Sequence, residues 1–125
     1  MKKLLAVLLF LLMLTGCSGQ KTAKYEIVVV PRQWSADLDA QIAEHVKERD
    51  ELNVYQNMCD EADARYQRLL LQDLMAQGVD AVCLVPVDAE DVAETVVRLE
   101  QAGILVITGE DVPAMIDRAA ERLAE

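Results

Sequence analysis

Four short apolar runs, each followed by a stretch of helical periodicity, leave few folds open to this chain. The first is Tyr25-Glu26-Ile27-Val28-Val29-Val30, closed by Pro31. Leu52 to Met58 is a second, weaker run, Val79 to Val85 a third and Ile104 to Thr108 a fourth. The first and third are nearly continuous rather than alternating, as expected of strands covered on both faces. Between them lie helical signals. Ser35 is placed to cap a helix carrying Leu38, Ile42 and Val46. Asp60 or Asp63 opens the next, with Leu70, Leu71, Leu74 and Met75, and Gly78 stops it. Asp88 caps a third helix, with Asp91 three residues on as a weak capping-box variant, and Gly103 ends it. Val112-Pro113 opens a fourth, whose Met115, Ile116, Ala119 and Leu123 share an inward face. The order β-α-β-α-β-α-β-α implies an α/β fold with right-handed crossovers. Four units cannot close an eight-stranded barrel, so the expectation is a doubly wound parallel four-stranded sheet with strand order 2-1-3-4.

The N-terminus carries a different signal. Lys2 and Lys3 precede an apolar run of 11 residues, Leu4 to Leu14. A membrane span needs about 20 residues; this run has the length of a signal-peptide core. Leu14-Thr15-Gly16-Cys17 resembles the lipobox of bacterial lipoproteins. That resemblance implies cleavage before Cys17 and acylation of Cys17 with palmitate-type chains, each buried CH₂ adding roughly 0.8 kcal/mol to anchoring. The expected organisation is a signal peptide at 1–16, a polar tether at 17–24 and one domain at 25–125. The expected location is the extracytoplasmic face of a cell membrane.

Charge narrows the partners. Taking Lys2 and Lys3 from the formal net charge of −10 leaves −12 for the processed chain. Nucleic-acid affinity comes largely from Lys and Arg on phosphates, so this chain is a poor binder of nucleic acid. Anionic headgroups also repel it, which leaves the lipid to hold it at a membrane. Cys59 and Cys83 read as free thiols near or within strands, and no cysteine–histidine spacing suggests zinc. His45, the only histidine, falls on a helix. No cofactor or metal is implied.

In open parallel sheets ligands bind outside the carboxyl ends of the strands, where helix N-termini also point. The loops expected there supply Arg32, Gln33 and Trp34 after strand one, Asn57 after strand two, Asp88 after strand three, and Glu110 and Asp111 after strand four. Carboxylates and amides suit hydroxyl edges, and Trp34, the single tryptophan, suits an apolar C–H face. The inventory fits a polyol. Arg32 has Glu110, Asp111 or an acidic ligand as candidate partners. Asp88 and Glu110 are the one conceivable carboxylate pair for catalysis. No nucleophile–base pair, phosphate-cradling loop or metal cluster accompanies them, so the chain does not read as an enzyme.

Residues 69–111, "LLLQDLMAQGVDAVCLVPVDAEDVAETVVRLEQAGILVITGED", resemble the N-terminal lobe of type 1 periplasmic sugar-binding proteins of the ribose- and galactose-binding group. The resemblance rests on Q-D-L-M-A-Q-G-V-D-A leading into strand three, P-V-D closing it, Q-A-G-I before strand four, and V-I-T followed by an acidic residue. It implies a lipid-tethered solute-binding component of a sugar uptake or sensing system of the ABC type. By position it assigns Trp34 to a sugar-stacking aromatic and Glu110 to an acidic residue on sugar hydroxyls. The family often has an arginine next, where this chain has Asp111. Members of the family carry two lobes that close on the ligand, and this chain reads as a single half-lobe, a truncated or split receptor or a small orphan paralogue. The alternative expectation is a non-catalytic lipoprotein module that docks on a membrane permease or sensor.

Overall fold

A computed structural model describes residues 23–125. The order is β1 (Tyr25–Val30), α1 (Ala36–Val46), β2 (Leu52–Gln56), α2 (Ala64–Gln77), β3 (Ala81–Leu84), α3 (Ala89–Gln101), β4 (Leu105–Thr108) and α4 (Val112–Leu123). The strands form one parallel sheet in the order β2-β1-β3-β4. The proposed signal peptide and most of the tether, Cys17 included, lie outside the described residues.

Side chains alternate across a strand, so β1 and β3 feed two separate cores. Ile27, Val29, Ala81 and Cys83 pack with Ile42 of α1 and with Met115, Ile116 and Ala119 of α4. Val28, Val30, Val82 and Leu84 pack with Leu70, Leu71 and Leu74 of α2 and with Val92 and Leu99 of α3. Ile27 to Val30 and Ala81 to Leu84 are all fully buried, which explains their unbroken apolar runs.

Helix ends follow local chemistry. Ser35 accepts from the Leu38 N–H, and Asp63, not Asp60, accepts from the Tyr66 N–H. Asp88 accepts from the Glu90 and Asp91 N–H groups, and Asp111 from Ala114. Gly78 (φ 71°) and Gly103 (φ 85°) take the left-handed turn that a Cβ disfavours. Asp91 completes no capping box; its Oδ1 instead accepts from the Arg68 guanidinium, tying α3 to α2. Three strands are shorter than their apolar runs. Val79, Val85 and Met58 are buried outside the ladder, because loops that dive under a helix need apolar residues as much as strands do.

Candidate functional site

The sheet order reverses at β1. The chain leaves β1 toward α1 on one face, and leaves β3 toward α3 on the other. The crevice between the upper ends of β1 and β3 is therefore the topological switch point, the usual ligand position in such sheets. Two glutamines organise it, and neither stands out in the sequence. Gln67 of α2 is fully buried. Its Nε2 donates to the carbonyls of Pro31 (3.1 Å) and Val85 (2.9 Å), while its Oε1 accepts from the Val87 N–H at 2.9 Å. One side chain thus pins the loops after β1 and β3 together. Gln56, at the end of β2, donates to the Ser35 carbonyl and to Asp39 Oδ1, both at 2.6 Å, and accepts from the Ser35 N–H. The only signal for Gln67 was a polar residue in the stripe of Leu70, Leu71 and Leu74.

On this scaffold Arg32 and Glu110 meet. Arg32 Nη2 lies 2.8 Å from Glu110 Oε1, and Arg32 Nε lies 3.4 Å from the Pro86 carbonyl. Loops after β1, β3 and β4 are thereby joined at one rim. The Trp34 N–H donates to the Cys59 carbonyl at 2.8 Å, which ties the loop after β1 to that after β2. The Trp34 ring remains 38% exposed and Gln33 is exposed beside it. Asn57 is half-buried and extends the β1–β2 pairing through its N–H to the Val29 carbonyl. Asp88 and Asp111 sit at the same rim, where each uses Oδ1 to cap its helix. The seven sequence-derived candidates all fall on the C-terminal edge of the sheet; Arg32 and Glu110 are joined directly, whereas the Asp88 and Asp111 side chains are already engaged with backbone.

Perturbed titrations lie away from this rim. Burial and a 2.8 Å hydrogen bond to Glu26 push the Tyr55 hydroxyl up to about 12, and burial alone raises the Cys83 thiol to about 12. The two cysteines among the described residues are free thiols, Cys83 buried and Cys59 half-buried. His45 bonds Asp117 of α4 at 2.8 Å, a strut between helices. A cavity of about 620 Å³ opens at the opposite end of the sheet, lined by Glu26, Arg49, Asp50 and Asn53. Despite its size it lies far from the helix N-termini and the converging loops, so the rim is the better candidate. Among the described residues no cluster of His, Cys, Asp or Glu could hold a metal ion, and no helix is long and apolar enough to cross a membrane.

Residues 27–122 match the family model for a periplasmic binding protein domain. The chain belongs to that family. Residues 1–18 match the model for a prokaryotic membrane lipoprotein lipid attachment site. The fold of this periplasmic binding protein domain is that of LsrB from Clostridium saccharobutylicum in complex with AI-2 (TM-score 0.60, 23% identity, covering 66% of this chain and 26% of that one). A solute-binding protein of an ABC transporter from Burkholderia graminis, in complex with D-arabinose, matches with TM-score 0.62 and 20% identity over 74% of this chain and 33% of that one. A periplasmic solute-binding protein of an ABC transporter from Actinobacillus succinogenes, with bound D-allose, matches with TM-score 0.58 and 18% identity over 81% and 36%. The chain therefore spans about a quarter to a third of the length of these structures. The Burkholderia and Actinobacillus structures are solute-binding proteins of ABC transporters. None of the curated proteins matches the chain.

Proposed function

We propose that this periplasmic binding protein domain is the lipid-anchored, extracytoplasmic solute-binding component of an ABC-type uptake or sensing system, with a sugar or related polyol as ligand. The observation that carries the reading is the 2.8 Å contact of Arg32 with Glu110, which gathers three strand-end loops beside Trp34 at the switch point. Trp34 offers an apolar face to a sugar ring, Glu110 accepts from its hydroxyls, and Arg32, Gln33 and Asn57 donate to ring or hydroxyl oxygens. Asp88 and Asp111 bound the site from the helix N-termini. The acyl group sits on Cys17, with 1–16 removed, 17–24 as tether and 25–125 as the binding lobe.

The test is a titration of Trp34 emission with pentoses, hexoses and furanose signals. A saturable change with at least one of these is expected; folded protein that responds to none at millimolar concentration defeats autonomous binding. Metabolic labelling with palmitate tests the anchor independently, with incorporation expected in the parent and lost in Cys17→Ser.

A second reading, docking on a permease or sensor, draws support from the exposure of the site. The Arg32 and Glu110 side chains are 54% and 77% exposed, so a ligand seated here is covered from one side only. Crosslinking in membranes that recovers no protein neighbour would count against it.

A further inference from the structure

Trp34 stands in a loop with its ring partly exposed, yet the backbone on either side of it is held. The peptide before it is fixed by the Trp34 N–H, which donates to the Cys59 carbonyl at 2.8 Å. The peptide after it is fixed by the Ser35 N–H, which donates to Gln56 Oε1 at 3.3 Å. Peptide units are planar, so holding the two that flank a residue holds its φ and ψ, and with them the direction of its Cα–Cβ bond. Both acceptors belong to one short segment, residues 56–59, at the end of β2 and just beyond it.

Gln56 is buried, and its amide is engaged on both sides. Nε2 donates to the Ser35 carbonyl and to Asp39 Oδ1, at 2.6 Å each. The Ser35 carbonyl does not depend on it, because the Asp39 N–H of the first helical turn also donates there at 3.3 Å. The Ser35 N–H does, since the N–H of a capping residue has no partner within its own helix. Asp39, on the exposed side of the amide, sets which way the amide faces. An ionised carboxylate only accepts, so it draws Nε2 to itself and leaves Oε1 for the Ser35 N–H.

We infer that Gln56 is a positioning residue for ligand binding, which together with Asp39 aims Trp34 and keeps it fixed before a solute arrives. The inference rests on the reading of Trp34 as the aromatic that stacks on a sugar. Being buried, Gln56 acts through the Trp34–Ser35 peptide and not by contact with the solute. A solute then meets an aromatic whose backbone freedom was given up on folding, so binding does not carry that ordering cost.

Time-resolved anisotropy of Trp34, the single tryptophan, reads this without any ligand. Gln56→Met keeps the length of the side chain but offers neither an N–H nor a carbonyl. Native far-UV circular dichroism is expected, with nanosecond motion of Trp34 larger in amplitude than in the parent. Asp39→Ala is expected to move the same way, and Asp39→Asn, which keeps an acceptor, to stay close to the parent. Folded Gln56→Met protein with the parent's anisotropy decay overturns the inference. Should Gln56→Met fail to fold, Asp39→Ala decides in its place, and a parental decay there overturns it. Calorimetry with a sugar that the parent binds is expected to show about fivefold weaker binding in the folded variant, the ordering cost of roughly one side chain; equal affinity overturns the inference. A purely structural glutamine would lower the denaturation midpoint and leave both readouts unmoved. A parent that binds no sugar overturns the proposed function and this inference with it, whereas a parent that binds, beside a folded variant of unchanged anisotropy and affinity, overturns this inference alone.

Discussion

Gln67 and Val87 lie 2.9 Å apart, side-chain oxygen to backbone N–H, and that bond fixes the loop after β3 from within the core. The same amide holds Pro31 and Val85. Removing it leaves buried polar groups from two loops without a partner, each costing about 1–3 kcal/mol. Gln67→Leu is expected to lower unfolding stability by about 3 kcal/mol, read from urea denaturation. Trp34 emission should also shift in the folded variant, because the loop after β1 loses its anchor. A stability within experimental error of the parent would show that Gln67 is only a filler.

Arg32→Ala behaves in the opposite way. The Arg32–Glu110 pair is open to solvent, and exposed pairs contribute roughly 0–1 kcal/mol. Stability is expected to change by less than about 1 kcal/mol, while sugar affinity, once a ligand is in hand, falls. A large loss of stability with unchanged affinity would make the pair structural.

Trp34→Ala is expected to fold as well as the parent, since the ring is partly exposed and anchored through its backbone N–H. Loss of a stacked aromatic face should weaken ligand binding by about tenfold, the equivalent of the ~1.4 kcal/mol that such a face supplies. Calorimetry rather than fluorescence is the readout, because this chain has a single tryptophan.

Alkaline pH should destabilise the domain through two groups. Tyr55 and Cys83 both have folded pKa values raised to about 12, and each is neutral below its pKa. A raised folded pKa contributes stability that is complete below the unfolded value and is lost as pH climbs through the folded one. For Cys83 the loss begins near 9 and for Tyr55 near 10, and both end near 12. Denaturation midpoints should therefore hold to about pH 9 and fall beyond it, less steeply in Tyr55→Phe. Ellman's reagent should reach half-buried Cys59 well before Cys83 in native protein.

Asp88→Ala removes the acceptor of two N–H groups at the start of α3 and is expected to cost about 1 kcal/mol by thermal denaturation. Asp88→Asn, which keeps an acceptor, should recover most of it. A ligand-binding defect in Asp88→Asn without a change in stability would show that the carboxylate also touches solute.

The order of strands and helices, the caps at Ser35 and Asp88, the stops at Gly78 and Gly103, and the inward faces of all four helices were legible in the sequence, because each depends on residues a few positions apart; the cap at Asp111 was not read there. Periodicity reports burial, and so the parallel sheet and its C-terminal rim could be derived before any coordinate. What tertiary structure alone decided was which distant groups meet. Arg32 had three candidate partners and found Glu110, 78 positions away. Asp91, read as half of a local box, went instead to Arg68 on another helix. Gln67 has the composition of a surface residue, yet folding buries it, since only the packed chain brings two orphan carbonyls and an N–H within reach of one amide. Local pattern specifies elements through near-neighbour energetics; the site arises where loops from separate elements converge, and their distances are set by packing.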